Sequence, residues 1–247
     1  VEVLGGLTHR NLIRLNANGT VDTAFASPFS TLGGVQPMLQ QPDGKFVVAG
    51  NFNSANGFTH RNIARFNADG TIDASFDSGY GIWGKGNVRA DAVAVQTDGK
   101  ILLGGTFDTY NLNDARGLVR LNTNGAQDAT FNPIGISAGN PAVNDLLVLP
   151  DGKILVGGTG LDIANQNLLR LNPNGSGDTS WPNGNGNGGV LEILRQTDGK
   201  IIAVGGFTSY LGQSRNRVVR LNADGALDGT FTPGTGASNQ IFAAEFQ

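Results

Sequence analysis

Residues 92–131 read AVAVQTDGKILLGGTFDTYNLNDARGLVRLNTNGAQDATF. In this stretch Asp98-Gly99-Lys100 precedes a short apolar run ending in glycine, and Arg120-Leu121-Asn122 precedes an Asn-Gly pair. The first motif recurs from Asp43, Asp151 and Asp198, and the second recurs from Arg14, Arg65, Arg170 and Arg220. Successive arginines are 51, 55, 50 and 50 residues apart. The chain is therefore about five copies of one unit, with a period typical of repeat architectures.

Each unit is predicted to form four short strands. In the quoted stretch, residues 92–96 are the first strand, and the Asp98-Gly99 turn that follows tolerates the positive φ angles of a hairpin. Residues 101–107 and 118–122 are the second and third strands. The fourth strand ends at an aromatic residue in every copy: Phe25, Phe76, Phe131, Trp181 and Phe231. Four antiparallel strands at this period indicate the blade of a β-propeller.

The two ends of the chain predict a closed ring. Residues 1–6 read as a second strand and residues 241–247 as a first strand, so their pairing would complete one blade and remove free sheet edges. An alternative alignment of residues 6–11 with residues 57–62 places residues 1–5 in a loop. We predict an all-β, five-bladed propeller in one domain. Its blades comprise residues 1–27 plus 241–247, 35–78, 90–132, 142–182 and 190–232.

The repeated pattern is Gln-x-Asp-Gly-Lys-Ile-x-x-Gly-Gly, followed by Arg-Leu-Asn-x-(Asn/Asp)-Gly-x-x-Asp-x-x-Phe. It resembles the bacterial delta sixty β-propeller repeat over essentially the whole chain. Leu149 replaces the usual glutamine and Trp181 the usual phenylalanine. The resemblance implies a large secreted or surface-attached bacterial protein, so we expect an extracellular or cell-surface location. Most members of that family have no assigned activity.

Composition excludes several classes of protein. The 247 residues carry 17 basic and 20 acidic side chains, a formal net charge of −3, whereas a nucleic-acid-binding protein needs a strongly basic face. No apolar run approaches the ~20 residues of a membrane-spanning helix, so we predict no membrane insertion. The lack of cysteine rules out disulfides and thiolate metal sites. Because Met38 is the only methionine, we interpret the chain from Val1 as an excised piece of something longer.

One face of the predicted ring carries the loops that vary between copies. Every blade needs the same tight turns, so an individual function is expected on the variable face. We predict the ligand-binding residues there to be His9, His60, Arg61, Tyr80, Trp83, Tyr110, Arg116 and Tyr210. Exposed aromatic rings with neighbouring polar groups suit sugars or peptides. The alternative for Trp83 is that it packs in the gap between two blades.

Other groups are weaker candidates for chemistry. Four acids lie on predicted first strands and could serve a hydrolase: Asp91, Asp145, Glu192 and Glu245. The repeated Asn-x-(Asn/Asp)-Gly-x-x-Asp turn offers too few carboxylates for calcium. We expect each repeated arginine to pair with the repeated aspartate of its own copy, and the turn lysines to be solvated. We therefore predict no catalytic residue, no metal and no cofactor.

The favoured function is a non-catalytic extracellular module that binds a ligand or builds a surface. Its expected partner is a glycan or a surface protein, recognised through the variable loops, and the expected state is a monomer. Two alternatives remain at this point. One is a polysaccharide hydrolase or lyase that uses the inner-strand acids, and the other is a filament subunit that assembles by strand exchange.

Overall fold

The computed structural model describes residues 2–4, 7–9, 12–25, 34–52, 62–133, 136, 141–161, 166–182 and 186–246. This part of the chain is all-β and contains no helix, so it has no helical segment able to cross a membrane. Its strands are β1 (Glu2–Leu4), β2 (Leu7–His9), β3 (Gly34–Gln40), β4 (Phe46–Asn51), β5 (Ile63–Phe66), β6 (Ile82–Trp83), β7 (Arg89–Val95), β8 (Ile101–Thr106), β9 (Thr109–Tyr110), β10 (Asn113–Asp114), β11 (Leu118–Leu121), β12 (Ala142–Val148), β13 (Ile154–Thr159), β14 (Leu168–Leu171), β15 (Val190–Arg195), β16 (Ile201–Gly205), β17 (Ser209–Tyr210), β18 (Gln213–Ser214) and β19 (Val218–Leu221).

Repeats 1 to 5 are numbered here by the arginine that each contains: Arg14, Arg65, Arg120, Arg170 and Arg220. Repeats 2 to 5 each form a three-stranded antiparallel sheet, namely β3-β4-β5, β7-β8-β11, β12-β13-β14 and β15-β16-β19. The turn between the first two strands is the Asp-Gly-Lys motif. In repeat 3 the Gln96 N–H donates to the Lys100 carbonyl at 2.9 Å, and Gly99 has a φ of +81°. The predicted hairpin is confirmed there.

The predicted fourth strand is reduced to a single bridge in each repeat. The bridges are Leu15 with Val21, Phe66 with Ile72, Leu121 with Gln127, Leu171 with Gly177 and Leu221 with Leu227. After each bridge the repeated aspartate turns the chain. In repeat 3 the Thr130 N–H donates to Oδ1 of Asp128 at 2.9 Å, and the Phe131 N–H donates to the Asp128 carbonyl at 3.1 Å. An aspartate side chain that binds the backbone in this way ends an extended strand.

The core lies between neighbouring sheets. In β8, Leu102 packs in one cluster with Val143 of repeat 4, while Leu103 packs in another with Val47 of repeat 2. Successive residues of a strand point to opposite faces, so each sheet packs on both of its neighbours. Gly104 permits the close approach, since a Cβ atom there would lie 2.4 Å from Cγ1 of Val143. Each buried leucine or isoleucine contributes about 1.5–3 kcal/mol.

The N-terminal hairpin occupies a different place from the one predicted. Strands β1 and β2 pair with Val3 opposite Thr8 and Leu4 opposite Leu7. Counted from the repeated arginine, these positions match Thr109 to Asp114 of the β9–β10 hairpin, which has the same register. Residues 2–4 are therefore part of a loop hairpin and not the second strand of a blade. This agrees with the alternative alignment.

The predicted pairing of residues 241–246 with residues 1–6 is absent from the described residues. Residues 241–246 form no strand, and β1 pairs with β2. Instead, the Ile241 N–H donates to the Gly205 carbonyl at 3.2 Å, and the Ala244 N–H donates to Oε2 of Glu192. The second contact matches the one between repeats 4 and 5, where the Ile193 N–H donates to Oδ2 of Asp145 at 2.6 Å. The C-terminal segment thus lies against β15 as β15 lies against β12.

Candidate functional site

One end of each of repeats 2 to 5 carries the same charged cluster, which we call the turn end; repeat 1 has its arginine, aspartate and aromatic residue. In repeat 3 it consists of Lys100, Arg120, Asp128 and Phe131. Both cations contact Oδ2 of Asp128 at 2.9 Å, and the guanidinium lies 4.6 Å from the centre of the Phe131 ring. The predicted Arg–Asp pair is confirmed in all five repeats, with the pairs Arg14–Asp22, Arg65–Asp73, Arg120–Asp128, Arg170–Asp178 and Arg220–Asp228.

The turn lysines were predicted to be solvated, and that prediction is wrong. They bind the aspartate of their own repeat in the pairs Lys45–Asp73, Lys100–Asp128, Lys153–Asp178 and Lys200–Asp228. Each lysine follows a tight hairpin, which brings its side chain back over the aspartate turn. A charge cluster that recurs unchanged in this way has a structural role.

The turn end also joins neighbouring repeats. Nη1 of Arg65 donates to the Thr123 carbonyl of repeat 3 at 2.7 Å, and Nη1 of Arg170 donates to the Ala223 carbonyl of repeat 5 at 2.9 Å. Arg14 and Arg120 reach the next repeat in the same way, at the carbonyls of Ala68 and Pro173. Each of these arginines therefore stabilises the repeat that follows its own.

Hydrogen bonding fixes the charge of the turn-end aspartates. Burial opposes ionisation of Asp128, but hydrogen bonds from Thr130 and Lys100, together with the Arg120 guanidinium, hold its pKa far below the usual value. The pKa values of Asp73, Asp178 and Asp228 are lowered in the same manner. These carboxylates are therefore ionised and paired, which leaves them no role in proton transfer near neutral pH.

The loops of repeat 3 contain a three-stranded sheet, formed by β6, β9 and β10 and called here the loop sheet, whereas the described loop residues of repeats 1 and 5 form two-stranded hairpins. Trp83 lies opposite Thr109, and Thr109 lies opposite Asp114. Residues opposite each other share a face of the sheet, so these three side chains form one row. Ile82 and Tyr110 occupy the other face and are buried.

Large apolar side chains are exposed in the loop sheet and in the turns beside it. Trp83 and Tyr80 are each 60% exposed, and Leu112 at the tip of the β9–β10 hairpin is 71% exposed. The loop before β6 is held by Asn111, whose Oδ1 accepts the Tyr80 N–H at 3.2 Å. Gly79 lies directly over that side chain with a φ of +55°, and a Cβ atom there would be 2.5 Å from Oδ1. The exposure of Trp83 disagrees with the alternative that this residue fills the gap between two blades.

Charged groups and a cavity adjoin this row. Nε of Arg116 donates to Oδ1 of Asp114 at 3.1 Å, and both side chains are exposed. A cavity of about 360 Å³ lies beside the pair, and its lining includes Asp114, Arg116, Gln127, Phe131 and Ile136. The sequence reasoning selected Arg116 and missed Asp114 and Gln127. Gln127 is polar at a bridge position that is apolar or glycine in the other repeats, and this departure was visible in the sequence.

The other predicted binding residues lie elsewhere. Tyr110 is buried and its hydroxyl donates to the Gly125 carbonyl at 2.7 Å. Tyr210 is buried against Phe207, with the ring centres 5.9 Å apart. Burial raises the pKa of both tyrosines. Both are core residues, so a ligand in solution cannot reach them as predicted. His60, Arg61 and the side chain of His9 fall outside the described residues.

The four inner-strand acids do not assemble into one site. Asp145 follows a β-bulge in β12, and its two oxygens accept the N–H groups of Leu146 at 2.8 Å and Ile193 at 2.6 Å. Burial, with a smaller contribution from Glu192, raises the pKa of Asp145 to about 6. Asp91 pairs with Arg89 at 2.7 Å, and Glu245 is exposed near the C-terminus. Within the described ranges, no three histidine or acidic side chains are grouped closely enough to hold a metal ion.

The sequence model of a β-propeller domain of unknown function (DUF5122) matches residues 2–25, 41–76, 96–131, 149–180 and 196–231. No curated protein sequence matches the chain.

Several solved structures resemble it in fold. One is PorZ, a bacterial surface component of the type-IX secretion system of Porphyromonas gingivalis, with 16% identity and a TM-score of 0.45 over 76% of this chain and 27% of that one. Another, named provisionally as a gluconolactonase, has 18% identity and a TM-score of 0.48 over 85% of this chain and 66% of that one. A third is the extracellular domain of a protein of B. thetaiotaomicron, named provisionally as a hybrid two-component system. It has 12% identity and a TM-score of 0.48 over 84% of this chain and 25% of that one.

Proposed function

Because the chain belongs to the DUF5122 family of β-propellers, we propose that it is a non-catalytic, extracellular glycan-binding module. In this proposal the five repeats form a five-bladed ring, and the loop sheet of repeat 3 is the binding surface. The extracellular location rests on the resemblance of the repeat to secreted and surface-attached bacterial proteins. The described loop residues of repeats 1 and 5 form two-stranded hairpins, so the third strand of the loop sheet distinguishes repeat 3 from them.

The observation that carries the proposal is the exposed ring of Trp83. An indole held open to water on a hydrogen-bonded strand is a flat apolar platform, and the C–H face of a sugar ring is a suitable partner for it. Asp114 lies in the same row and its carboxylate accepts hydrogen bonds from hydroxyl groups. Arg116 beside it supplies donors. An aromatic platform on the same sheet face as an acceptor and a donor suits the recognition of a neutral oligosaccharide.

The arrangement of the acids supports binding without turnover. A glycosidase needs two carboxyl groups that face a shared substrate. Asp145 is the acid whose pKa suits a proton donor, but both of its oxygens already accept backbone N–H groups that join β12 to β15. Such a carboxylate holds two strands together, which gives Asp145 a structural role.

The test is binding to an immobilised panel of neutral oligosaccharides, with Trp83→Ala as the variant. We expect Trp83→Ala to weaken binding about tenfold, since a stacked ring contributes about 1 kcal/mol or more beyond its buried area. The matched control is Phe242→Ala, which removes an aromatic ring that is 76% exposed on the C-terminal segment. Thermal unfolding must show both variants folded.

Three outcomes would contradict the proposal. The first is that the wild-type protein binds no sugar of the panel. The second is that Trp83→Ala binds as well as Phe242→Ala does. The third is the release of reducing ends during incubation, lost in Asp145→Asn, which would favour the hydrolase alternative.

A further inference from the structure

Repeat 3 departs from the repeat pattern at a second point, close to the loop sheet. The bridge residue that follows β11 is Gln127, whereas the equivalent residues are Val21, Ile72, Gly177 and Leu227. Nothing in the turn end requires a polar side chain here, because the other repeats form the same bridge without one. The polar side chain of Gln127 therefore has a role that is specific to repeat 3.

Gln127 connects the bridge to the loop sheet. Its Nε2 donates to the Asp114 carbonyl at 3.3 Å, and this contact fixes which end of the amide is the nitrogen. The other end, Oε1, is buried and accepts no hydrogen bond in the described structure. A buried acceptor without a donor costs free energy, and each such group calls for an explanation.

The cavity that Gln127 lines has the size and composition of a small-ligand pocket. Its volume of about 360 Å³ falls within the usual range for such pockets. The wall is partly apolar, with Phe131 and Ile136, and the Asp114–Arg116 pair supplies polar groups. Arg120, which also lines the cavity, is paired with Asp128. The charges are thus matched, which favours an uncharged ligand rich in hydroxyl groups.

Building on the proposed function, we propose that this cavity is a second sugar subsite. It takes the uncharged terminal sugar of a glycan whose neighbouring ring stacks on Trp83. A hydroxyl of the terminal sugar donates to Oε1 of Gln127, reaching it by a small movement of the amide, while Asp114 and Arg116 bind further hydroxyls. Trp83 and Asp114 are two strands apart, about 10 Å at the usual strand spacing, so one sugar ring cannot fill both places.

The experiment compares a monosaccharide with its disaccharide, using the sugar that binds most tightly in the oligosaccharide panel, by titration calorimetry. The variant is Gln127→Leu, which places in repeat 3 the residue that Leu227 supplies at the same bridge in repeat 5. For the wild type, we expect the disaccharide to bind at least tenfold more tightly than the monosaccharide. Gln127→Leu is expected to lower disaccharide affinity about five- to tenfold, as the loss of one buried hydrogen bond predicts.

A control variant and a chemically modified sugar complete the test. Gln213→Leu is the control, because Gln213 is an exposed glutamine in the equivalent hairpin of repeat 5, and its affinities should equal those of the wild type. Methylating the hydroxyls of the terminal sugar tests the same contact without any change in the protein. Methylated one at a time, one hydroxyl should weaken binding to the wild type when modified and have little further effect on Gln127→Leu, because that hydroxyl is the donor to Oε1 of Gln127.

The outcomes separate the two proposals. In one outcome the wild type binds the disaccharide and Trp83→Ala weakens that binding, whereas Gln127→Leu and methylation leave it unchanged. That outcome overturns the subsite and supports the binding surface. If no sugar binds to the wild type, the proposed function fails and the subsite fails with it. A disaccharide that binds no more tightly than its monosaccharide also overturns the subsite.

Discussion

The loop hairpins of repeats 3 and 5 have the same backbone and different edges. In repeat 3 the Asp108 N–H donates to the Trp83 carbonyl of β6 at 2.9 Å. In repeat 5 the equivalent N–H, that of Thr208, donates to Oδ1 of Asn187 at 2.7 Å. The Asn187 side chain thus occupies in repeat 5 the acceptor position that the Trp83 carbonyl occupies in repeat 3. Because a side chain can serve as the acceptor here, the feature that β6 adds to repeat 3 is the exposed side chain of Trp83.

The turn ends of the same two repeats are alike. Asp128 and Asp228 each bind an arginine and a lysine of their own repeat, and in both repeats the guanidinium lies over the phenylalanine ring at the same position. Repetition therefore marks the part of the repeat that holds the fold. Departure from repetition marks the part that is free to acquire a function.

The largest expected effect tests the turn end. Asp128→Ala should destabilise the protein by about 3 kcal/mol or more, because it leaves Arg120 buried without its partner. Asp228→Ala should act in the same direction, as the likeness of the two turn ends requires. Asp114→Ala, which removes an exposed ion pair from the loop sheet, should cost less than about 1 kcal/mol. Urea unfolding measures all three, and equal losses for Asp128→Ala and Asp114→Ala would break the distinction between the two ends.

The next prediction concerns pH. The pKa of Asp128 is lowered in the folded state, so its pairing stabilises the fold above the unfolded pKa of about 4, and this contribution is lost as the pH falls further. The difference in Tm between the wild type and Asp128→Ala should be constant from about pH 5 to 8 and should shrink below about pH 4. A difference that persists unchanged at low pH would mean that packing, and not charge, makes the turn end stable.

The smallest effects concern the hairpin edges. Asn187→Ala should cost about 1–2 kcal/mol, because the side chain makes hydrogen bonds with Thr208 and Ser209. Trp83→Ala should change stability by less than about 0.5 kcal/mol, because the ring is exposed and the backbone pairing of β6 remains. Thermal unfolding compares the two variants. A greater loss of stability in Trp83→Ala than in Asn187→Ala would give β6 a structural role. It would also weaken the contrast between the loop hairpins of repeats 3 and 5.

The repeated features were the predictable ones. The Asp-Gly-Lys hairpins and the Arg–Asp pairs follow from motifs that recur at a fixed period, and the propeller family follows from the same motifs. The fourth strand was not foreseen as a single bridge, because the Asp128 side chain captures the backbone where the apolar pattern suggests more strand. The bulge in β12 was also not predicted, because a local irregularity of this kind leaves the apolar pattern of the strand unchanged.

The site residues were harder to predict because they lie in two-residue strands. Tyr110 and Trp83 are both aromatic residues in glycine-rich or polar loops, and nothing in their local sequence separates the buried ring from the exposed one. Whether each ring is buried or exposed depends on the pairing of Ile82 with Tyr110 and of Trp83 with Thr109. A strand of two residues has no periodicity from which to infer this register.

The arginines that bind the following repeat make the coupling between neighbouring repeats directional. Arg65 and Arg170 depend on the next repeat for an acceptor, whereas Arg220 donates, within the described part of the chain, to Asp228 and Thr230 of its own repeat. In a nearest-neighbour, Ising-like description the coupling between repeats is therefore asymmetric. Losing a repeat removes an acceptor from the one before it and a donor from the one after it. Local opening of repeat 3 should accordingly free the Arg65 guanidinium from the Thr123 carbonyl, so amide exchange in repeat 2 should rise with it.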